Sequence, residues 1–247
     1  MRTLWLMYKT ESKLSLREFS GILFAVLIPV GLIILLGIID GDGGTAEQYA
    51  ISQFDLSFGA VSILGISSVG LMTLPLSLSD YRQRKILKRY QVTPISPTIM
   101  LLSHLLFCFS LSIVSTVLVY LVSALMFGFS FQGSLLGFIG IYLLVTVSVH
   151  AIGMIVASLA PNAQMAGVIA SLIYFPMIFL SGATIPYEVM PAALQAIANF
   201  LPLTHGINLL QAASLGQPLS DFQFSFWVIV LVFVIGMIVS IKAFRWE

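Results

Sequence analysis

Six long apolar runs constrain this chain more than any other feature of its sequence. They lie at about 20–39, 56–79, 98–127, 134–160, 165–183 and 222–243. A helix of about 20 residues, rising 1.5 Å per residue, crosses a hydrocarbon core ~30 Å thick. Only 9% of the residues are charged, against ~25% in soluble domains. We therefore predict an all-α polytopic membrane protein with six transmembrane helices, forming one transmembrane domain over residues 1–247.

The basic residues predict the orientation of these helices, because Lys and Arg favour the cytoplasmic side of a membrane. All 11 lie in three segments: residues 1–19, the loop after the second run and the C-terminal tail. The opposite side would carry six acids and no base: Asp40, Asp42, Glu47, Asp55, Glu188 and Asp221. We expect both termini in the cytoplasm of a multi-pass cell-membrane protein, with a first span that is retained rather than cleaved as a signal peptide.

The interiors of the runs argue against several functional classes. None holds an Asp, Glu, Lys or Arg at depth, and such residues normally mark ion or proton pathways. His104 and His150 do lie inside runs, but neither has an acidic neighbour in sequence, so we interpret both as packed or hydrogen-bonded residues. The net charge of +1 does not support a basic nucleic-acid footprint, and we expect no nucleic-acid partner. The single cysteine, Cys108, excludes an intrachain disulfide, and we expect no metal site.

Residues 1–19 have an amphipathic composition. Apolar residues such as Trp5 and Tyr8 alternate there with the basic residues Arg2, Lys9, Lys13 and Arg17. This pattern favours an interfacial helix on the inner leaflet. The alternative is a basic flank that only sets the topology.

The loop at residues 80–97 contains five bases within eight positions, from Arg82 to Arg89. Asp80 can cap the start of a helix that continues until Pro94 and Pro97 stop it. We expect a cytoplasmic surface helix, since the segment is too short and too charged to span. Two interpretations remain open: flanking charge bound to anionic lipid, or a helix that docks on a cytoplasmic subunit.

Prolines punctuate the segment before the last run. Residues 192–200 form a short amphipathic helix, preceded by Pro191 and ended by Pro202. Ser181 and Gly182 permit a chain break at membrane depth. We predict an extracellular re-entrant hairpin at 184–205, with an ordinary outer loop as the alternative. The re-entrant residues would be Ser181, Gly182, Pro186, Pro191, Pro202 and His205, of which His205 would cap or anchor a turn.

Two strings carry a resemblance to a known family. The first runs Phe-Leu-Ser-Gly-Ala-Thr-Ile-Pro from Phe179 and is followed by Met-Pro and then Leu-Pro-Leu-Thr-His, ending at His205. The second is the Lys-Arg pair at Lys88, followed by Thr-Pro-Ile-Ser-Pro. Together they resemble the permease subunit of ABC-2 type transporters, the type V exporter family, and the order of segments is similar over the whole chain.

This resemblance implies a division of labour between subunits. Residues 1–19 would be the connecting helix, with Lys9, Glu11, Lys13 and Arg17. The basic loop would be the coupling helix on an ATP-binding cassette ATPase, through Arg82, Arg84, Lys85, Leu87, Lys88, Arg89 and Tyr90. Two permease subunits, as a homodimer or heterodimer, would join two ATPase subunits among membrane lipids. The chain has no Gly-x-x-x-x-Gly-Lys-Ser/Thr loop, so ATP and Mg would bind only to the partner, and this chain would bind no cofactor.

The family exports drugs, peptides, lipids or glycans, so the resemblance implies an exporter of a hydrophobic or amphipathic substrate. The substrate path would lie at the seam between two permeases, where Met and Phe adapt to varied apolar ligands. The candidate lining residues are Phe58, Ser62, Ser67, Met72, Phe175, Met177 and Phe179, each of which could equally be an ordinary packing residue.

Two other functions compete with the exporter. An ATP-independent carrier or channel would need buried ionisable groups, and only His104 and His150 qualify. A membrane enzyme built on His205 or His150 lacks a His-x-x-x-His pair, a Gly-x-Ser-x-Gly elbow or a carboxylate pair.

Overall fold

A computed structural model describes residues 2–15, 19–41, 53–86, 97–184, 187 and 190–243, which contain helices and no strand. The helices are α1 (Arg2–Ser15), α2 (Phe19–Ile22), α3 (Ile28–Gly41), α4 (Gln53–Ser67), α5 (Leu74–Gln83), α6 (Pro97–Phe127), α7 (Leu135–Leu159), α8 (Ala163–Leu180), α9 (Ala192–Ala198), α10 (Pro202–Ser214) and α11 (Gln223–Ala243). The all-α fold class is confirmed for this part of the chain.

Five helical stretches are long and apolar enough to cross a membrane: Phe54–Gln83, Ile99–Phe127, Leu135–Leu159, Ala163–Leu180 and Leu219–Lys242. They correspond to the last five predicted spans. The first predicted span is helical from α2 through α3, but its apolar stretch, Leu23–Ile39, is shorter than 18 residues. The structure therefore supports five candidate spans by length and composition, and a sixth, shorter apolar helix.

Two π-helical turns interrupt the first two long helices. One occupies Leu23–Leu27 between α2 and α3, and the other occupies Ser68–Thr73 between α4 and α5. Each ends two residues before a proline, Pro29 or Pro75. Proline lacks an N–H and its ring collides with the carbonyl four residues earlier, so the helix widens locally. For Pro29 that carbonyl belongs to Ala25, and the Ser115 hydroxyl of α6 donates a hydrogen bond to it.

The centre of the bundle is formed by α4, α7 and α10. Phe58, Ile63 and Leu210 are among its fully buried side chains. On the far side α7 packs along α11, where the Ser148 hydroxyl donates to the Ile229 carbonyl at 3.1 Å. A second, smaller apolar cluster lies towards α1, around buried residues of α5, α6 and α7 that include Leu78, Phe107 and Met154.

The helix α10 is the main element that sequence reasoning missed. Pro202 does follow the end of α9, as predicted, but it also occupies the first turn of α10, a position that suits its fixed φ and missing N–H. Ten of the 13 residues of α10 are buried, including Leu203, Ile207 and Leu210. The segment between the fifth and sixth long helices is therefore two helices, the second of which is part of the core.

Candidate functional site

The C-terminal end of α5, which contains the first residues of the basic loop, contacts four other helices. We call Tyr81, Arg82 and Gln83 the α5 terminus. The helix continues without interruption from Leu74 to Gln83, and the next turn ends at Lys85, whose φ of 56° is left-handed. The predicted capping role of Asp80 is therefore wrong. Asp80 lies inside α5, since no helix breaker separates it from Pro75.

Arg82 and Gln83 attach the α5 terminus to the turn between α7 and α8. The Arg82 guanidinium donates to the carbonyls of Ala157, at 3.0 Å, and Ala160. Those carbonyls belong to the last turn of α7, where helix carbonyls lack intrahelical partners and favour a cation. The Gln83 side-chain oxygen accepts from the backbone N–H of Ala163 at 3.1 Å, at the start of α8. These two side chains thus satisfy the end of one helix and the start of the next.

Tyr81 attaches the same terminus to α1 and α6 through a buried carboxylate. Its hydroxyl donates to Oε1 of Glu11 at 2.6 Å, and Nδ1 of His104 lies 2.7 Å from the same oxygen. An ionised carboxylate accepts hydrogen bonds and donates none. His104 Nδ1 therefore carries a proton and donates it to Glu11 Oε1. Cys108 Sγ lies 3.6 Å from the other ring nitrogen of His104. Glu11, Tyr81 and His104, which we call the Glu11 cluster, therefore join three helices at one atom.

The electrostatics of Glu11 follow from its burial and its partners. Only 8% of its surface is exposed. Burial raises the pKa of the carboxyl group, but hydrogen bonds from His104 and Tyr81 and the charge of His104 outweigh that effect, so its pKa is below the ordinary value. The carboxylate is therefore held in its ionised, hydrogen-bond-accepting form.

Sequence reasoning anticipated a hydrogen-bonded His104 but not its partner, because Glu11 lies 93 residues upstream. A usable signal was present in α1. Glu11 is three residues beyond Tyr8 and seven beyond Leu4, so it shares their helix face. An acid within the packed face of an amphipathic helix needs a buried partner.

The predicted connecting-helix residues are separated by this geometry. Lys9 and Lys13 are exposed, whereas Glu11 is buried in the cluster. A second contact, in which the Tyr8 hydroxyl donates to Ser110 Oγ at 3.0 Å, links α1 to α6 alone. Arg17 lies outside the described residues.

The predicted coupling residues are only partly within the described chain. Arg82 is bound to α7 as described above, while Arg84 Nε lies 2.8 Å from Asp80 Oδ2. The Lys85 side chain is exposed. Leu87, Lys88, Arg89 and Tyr90 lie outside the described residues.

His205, at the start of α10, connects the end of α9 with α11. Its Nε2 lies 3.0 Å from the Asn199 carbonyl, at the end of α9, and its Nδ1 lies 2.9 Å from Ser225 Oγ, in α11. Since a carbonyl only accepts, Nε2 of His205 carries a proton and donates it to the Asn199 carbonyl. The prediction that His205 anchors a turn agrees with this geometry.

The other hairpin residues mark the ends of helices. Gly182 has a φ of +91° directly after Ser181, the C-cap of α8, so the predicted break in the chain is present there. Pro191 is the N-cap residue of α9. Pro186 lies outside the described residues.

The seven predicted substrate-path residues do not form one surface within this chain. Phe58, Ser62, Ser67 and Met177 are buried among helices, whereas Phe175 and Phe179 are about half exposed on α8. Met72 is partly buried.

Two cavities flank the first turns of α4. An apolar groove of about 590 Å³ separates α6 from α7, with a hydrogen bond from the Thr116 hydroxyl to the Tyr142 oxygen at 3.3 Å. Its aromatic lining consists of Phe58, Tyr120, Phe131, Phe138 and Tyr142. On another side of α4 lies a pocket of about 330 Å³ whose polar side chains are neutral hydroxyl and amide groups: Ser57, Ser181, Thr184, Tyr187, Asn199, Asn208 and Gln211.

Metal-binding residues are not gathered anywhere in the described part of the chain. Within it, no three His, Cys, Asp or Glu side chains are placed to hold a metal ion together. The Glu11 cluster contains one carboxylate and one imidazole, and these two groups are hydrogen-bonded to each other.

Comparison with known proteins identifies the family of this arrangement. A family profile described as "ABC-2 type transporter" matches residues 2–215. Nodulation protein J of Rhizobium leguminosarum bv. viciae is 34% identical over 122 residues, 49% of this chain and 47% of that protein. The probable multidrug ABC transporter permease YbhS of Escherichia coli K12 is 28% identical over 164 residues, 66% of this chain and 43% of YbhS. Nodulation protein J of Bradyrhizobium diazoefficiens is 26% identical over 190 residues, 77% of this chain and 72% of that protein. The matched region thus covers less than half the length of the first two relatives.

Proposed function

Because the chain belongs to the ABC-2 type transporter family, we propose that it is the membrane-spanning permease subunit of an ATP-driven exporter. A separate ATP-binding cassette subunit would bind ATP and Mg and hydrolyse the nucleotide. The α5 terminus is the observation that carries this proposal. It contacts α1, α6, α7 and α8, directly or through Glu11. A force on the rest of the basic loop would therefore reach four helices at once.

The proposed topology has six spans, with both termini in the cytoplasm of a cell-membrane protein. The sorting of all 11 bases to three segments supports it. The helix from α2 through α3 would be the first span, with an apolar stretch that suits a tilted or locally thinned membrane. Helices α9 and α10 would form the re-entrant hairpin, because α10 is too short to span and yet is buried in the core.

A second permease subunit, identical or homologous, would pack against α8. This helix presents a stripe of exposed apolar side chains at helical spacing: Met165, Val168, Leu172, Phe175 and Phe179. Pairing of two such stripes would bring Phe175 and Phe179 of both copies to one seam, where the substrate path is expected. The remaining outer surface would face membrane lipids.

The proposed substrate is hydrophobic or amphipathic, such as a drug, a peptide or a lipid-like molecule. The two cavities support this class, because the aromatic groove suits an apolar group and the neutral polar pocket suits a hydrogen-bonding group. They lie on different sides of the same turns of α4, from Leu56 to Ala60.

The test is purification of the full chain from membranes of its own host in mild detergent. We expect a protein with a Gly-x-x-x-x-Gly-Lys-Ser/Thr loop to co-purify and the complex to hydrolyse ATP. Reversing Lys85, Lys88 and Arg89 to Glu should release this ATPase, since the loop would lose its positive charge.

Lys242→Glu is the control, because it reverses a base on the C-terminal helix, outside the basic loop, and should leave the ATPase bound. Retention of the ATPase by the loop variant would refute the coupling role. Transport by the purified chain alone, driven by an ion gradient, would instead favour a secondary carrier.

A further inference from the structure

The Glu11 cluster does more than fill space between helices. A single oxygen of Glu11 accepts one hydrogen bond from α5, at 2.6 Å, and faces a ring nitrogen of α6 at 2.7 Å. Both partners are aromatic side chains in edge contact, with Tyr81 and His104 ring centroids 5.5 Å apart. The three groups therefore have fixed distances and a fixed mutual orientation.

A buried carboxylate is an expensive way to attach a helix. Removing a charge from water costs free energy, and apolar residues of similar volume often stabilise a protein equally well. The apolar cluster around Leu78, Phe107 and Cys108 already provides such packing next to Glu11. Directional contacts to two helices are what the carboxylate adds to that packing.

The position of Tyr81 gives these contacts a direction. Tyr81 belongs to the α5 terminus, two residues before the helix ends, so its hydrogen bond to Glu11 connects α1 with the first residues of the basic loop. The Tyr8–Ser110 hydrogen bond also holds α1, but only to α6. Glu11 is therefore the side chain through which α1 meets both α5 and α6.

From this geometry we propose that Glu11 is a positioning residue that makes α1 move together with the α5 terminus when the basic loop is displaced. This inference rests on the proposed function, because it needs an ATPase that moves the loop. It assigns a transmission role to a buried polar cluster rather than to the exposed bases.

The experiment follows the motion of α1 in the purified complex of the full chain and its ATPase. Thr10 is exposed on α1 next to Glu11, and Cys108, the single native cysteine, is fully buried. Within this chain, a thiol probe therefore reacts at the introduced cysteine of a Thr10→Cys variant, and modification is measured on this chain after it is separated from the ATPase. The rate of modification is compared without nucleotide and after trapping with ATP and vanadate.

We expect trapping to change the modification rate at position 10 in the otherwise unaltered chain. Glu11→Leu keeps an apolar helix face but removes the acceptor, and Tyr81→Phe removes one hydroxyl, so each should lose most of that change while the ATPase still traps nucleotide. Tyr8→Phe is the matched control, because it breaks a hydrogen bond between α1 and α6 without involving α5, and it should retain the change.

Three results would overturn the inference: no change in the unaltered chain, an undiminished change in Tyr81→Phe, or an equal loss in Tyr8→Phe. Tyr81→Phe keeps its ring packing, so it decides the matter even if Glu11→Leu fails to assemble. Absence of a bound ATPase would contradict the proposed function instead, whereas a bound ATPase with an unaffected Tyr81→Phe variant would contradict only this inference.

Discussion

At the scale of single residues, backbone contact between helices depends on glycine. Gly153 in α7 faces Gly70 in the π turn of the second long helix. A Cβ built on Gly153 would lie 1.8 Å from the Gly70 carbonyl oxygen, so no side chain fits there without separating the helices. The same helix also carries Gly140, around which nothing lies within 4 Å.

We expect Gly153→Ala to destabilise the protein by about 1–3 kcal/mol, because overpacking forces backbone shifts. Thermal unfolding in detergent, followed by the reactivity of buried Cys108, measures the effect. Gly140→Ala provides the control, and it should leave the melting temperature unchanged or raise it, since alanine favours a helix. Equal melting temperatures of both variants and the parent would contradict the close approach of α7 to the π turn.

At the scale of elements, the two π turns show how a proline is accommodated inside a long helix. Pro29 prevents the usual hydrogen bond to the Ala25 carbonyl, and Ser115 from α6 supplies a hydroxyl in its place. Side chains of neighbouring helices commonly satisfy backbone groups freed in this way. Pro29 therefore determines where the hydrogen bond between the first and third long helices lies.

Ser115→Ala should lower the free energy of unfolding by about 1–3 kcal/mol, because it leaves the buried Ala25 carbonyl without that donor. The same substitution in a Pro29→Ala background should cost less, since a regular helix can restore the backbone hydrogen bond. The double-mutant cycle is measured by thermal unfolding in detergent.

Ser112→Ala serves as the control for this cycle. The Ser112 hydroxyl is also buried in α6, but it donates to the Cys108 carbonyl of its own helix, so its loss should be nearly neutral. If Ser115→Ala costs the same with and without Pro29, the two residues are not coupled and the explanation of the π turn is wrong.

Long elements were predictable from sequence, while short contacts between distant segments were not. Apolar length located the long helices because a membrane demands about 20 residues per crossing. The same criterion missed α10, whose 13 residues are too short to span and follow a proline. The capping prediction for Asp80 was wrong because Asp is a favourable N-cap residue, whereas nothing between Pro75 and Asp80 interrupts α5. The position of Glu11 on the packed face of α1 indicates a buried partner, but the identity of that partner, His104, depends on tertiary folding.

At the scale of the whole molecule, the two ends of the bundle differ in chemistry. The α5 terminus and the Glu11 cluster hold Arg, Glu, His and Tyr side chains, whereas the pocket beside the first turns of α4 has neutral hydroxyl and amide side chains. The charged side chains and the neutral pocket thus occupy different parts of the bundle.

Cysteine accessibility in intact cells tests the proposed orientation of the chain, in which both termini lie in the cytoplasm. Lys85 and Ser220 are both exposed and lie on opposite sides of the proposed topology. We expect an impermeant thiol reagent to modify Ser220→Cys in intact cells and Lys85→Cys only after permeabilisation, because the membrane shields the cytoplasmic side. Native Cys108 is fully buried, so the parent chain gives the background. Labelling of Lys85→Cys in intact cells would contradict the six-span topology.

The π turn at Ser68–Thr73 also has a consequence for helical phase. A π turn holds about one residue more than an α turn, and each α-helical residue rotates the chain by about 100°. Tyr81, Arg82 and Gln83 are consecutive and point in three directions, towards α1, α7 and α8. An insertion or deletion of one residue between Thr73 and Tyr81 would turn all three side chains away from their partners together. The rotation per residue therefore sets the length of this helix to within one residue. The membrane that it would cross tolerates a change of several residues in length.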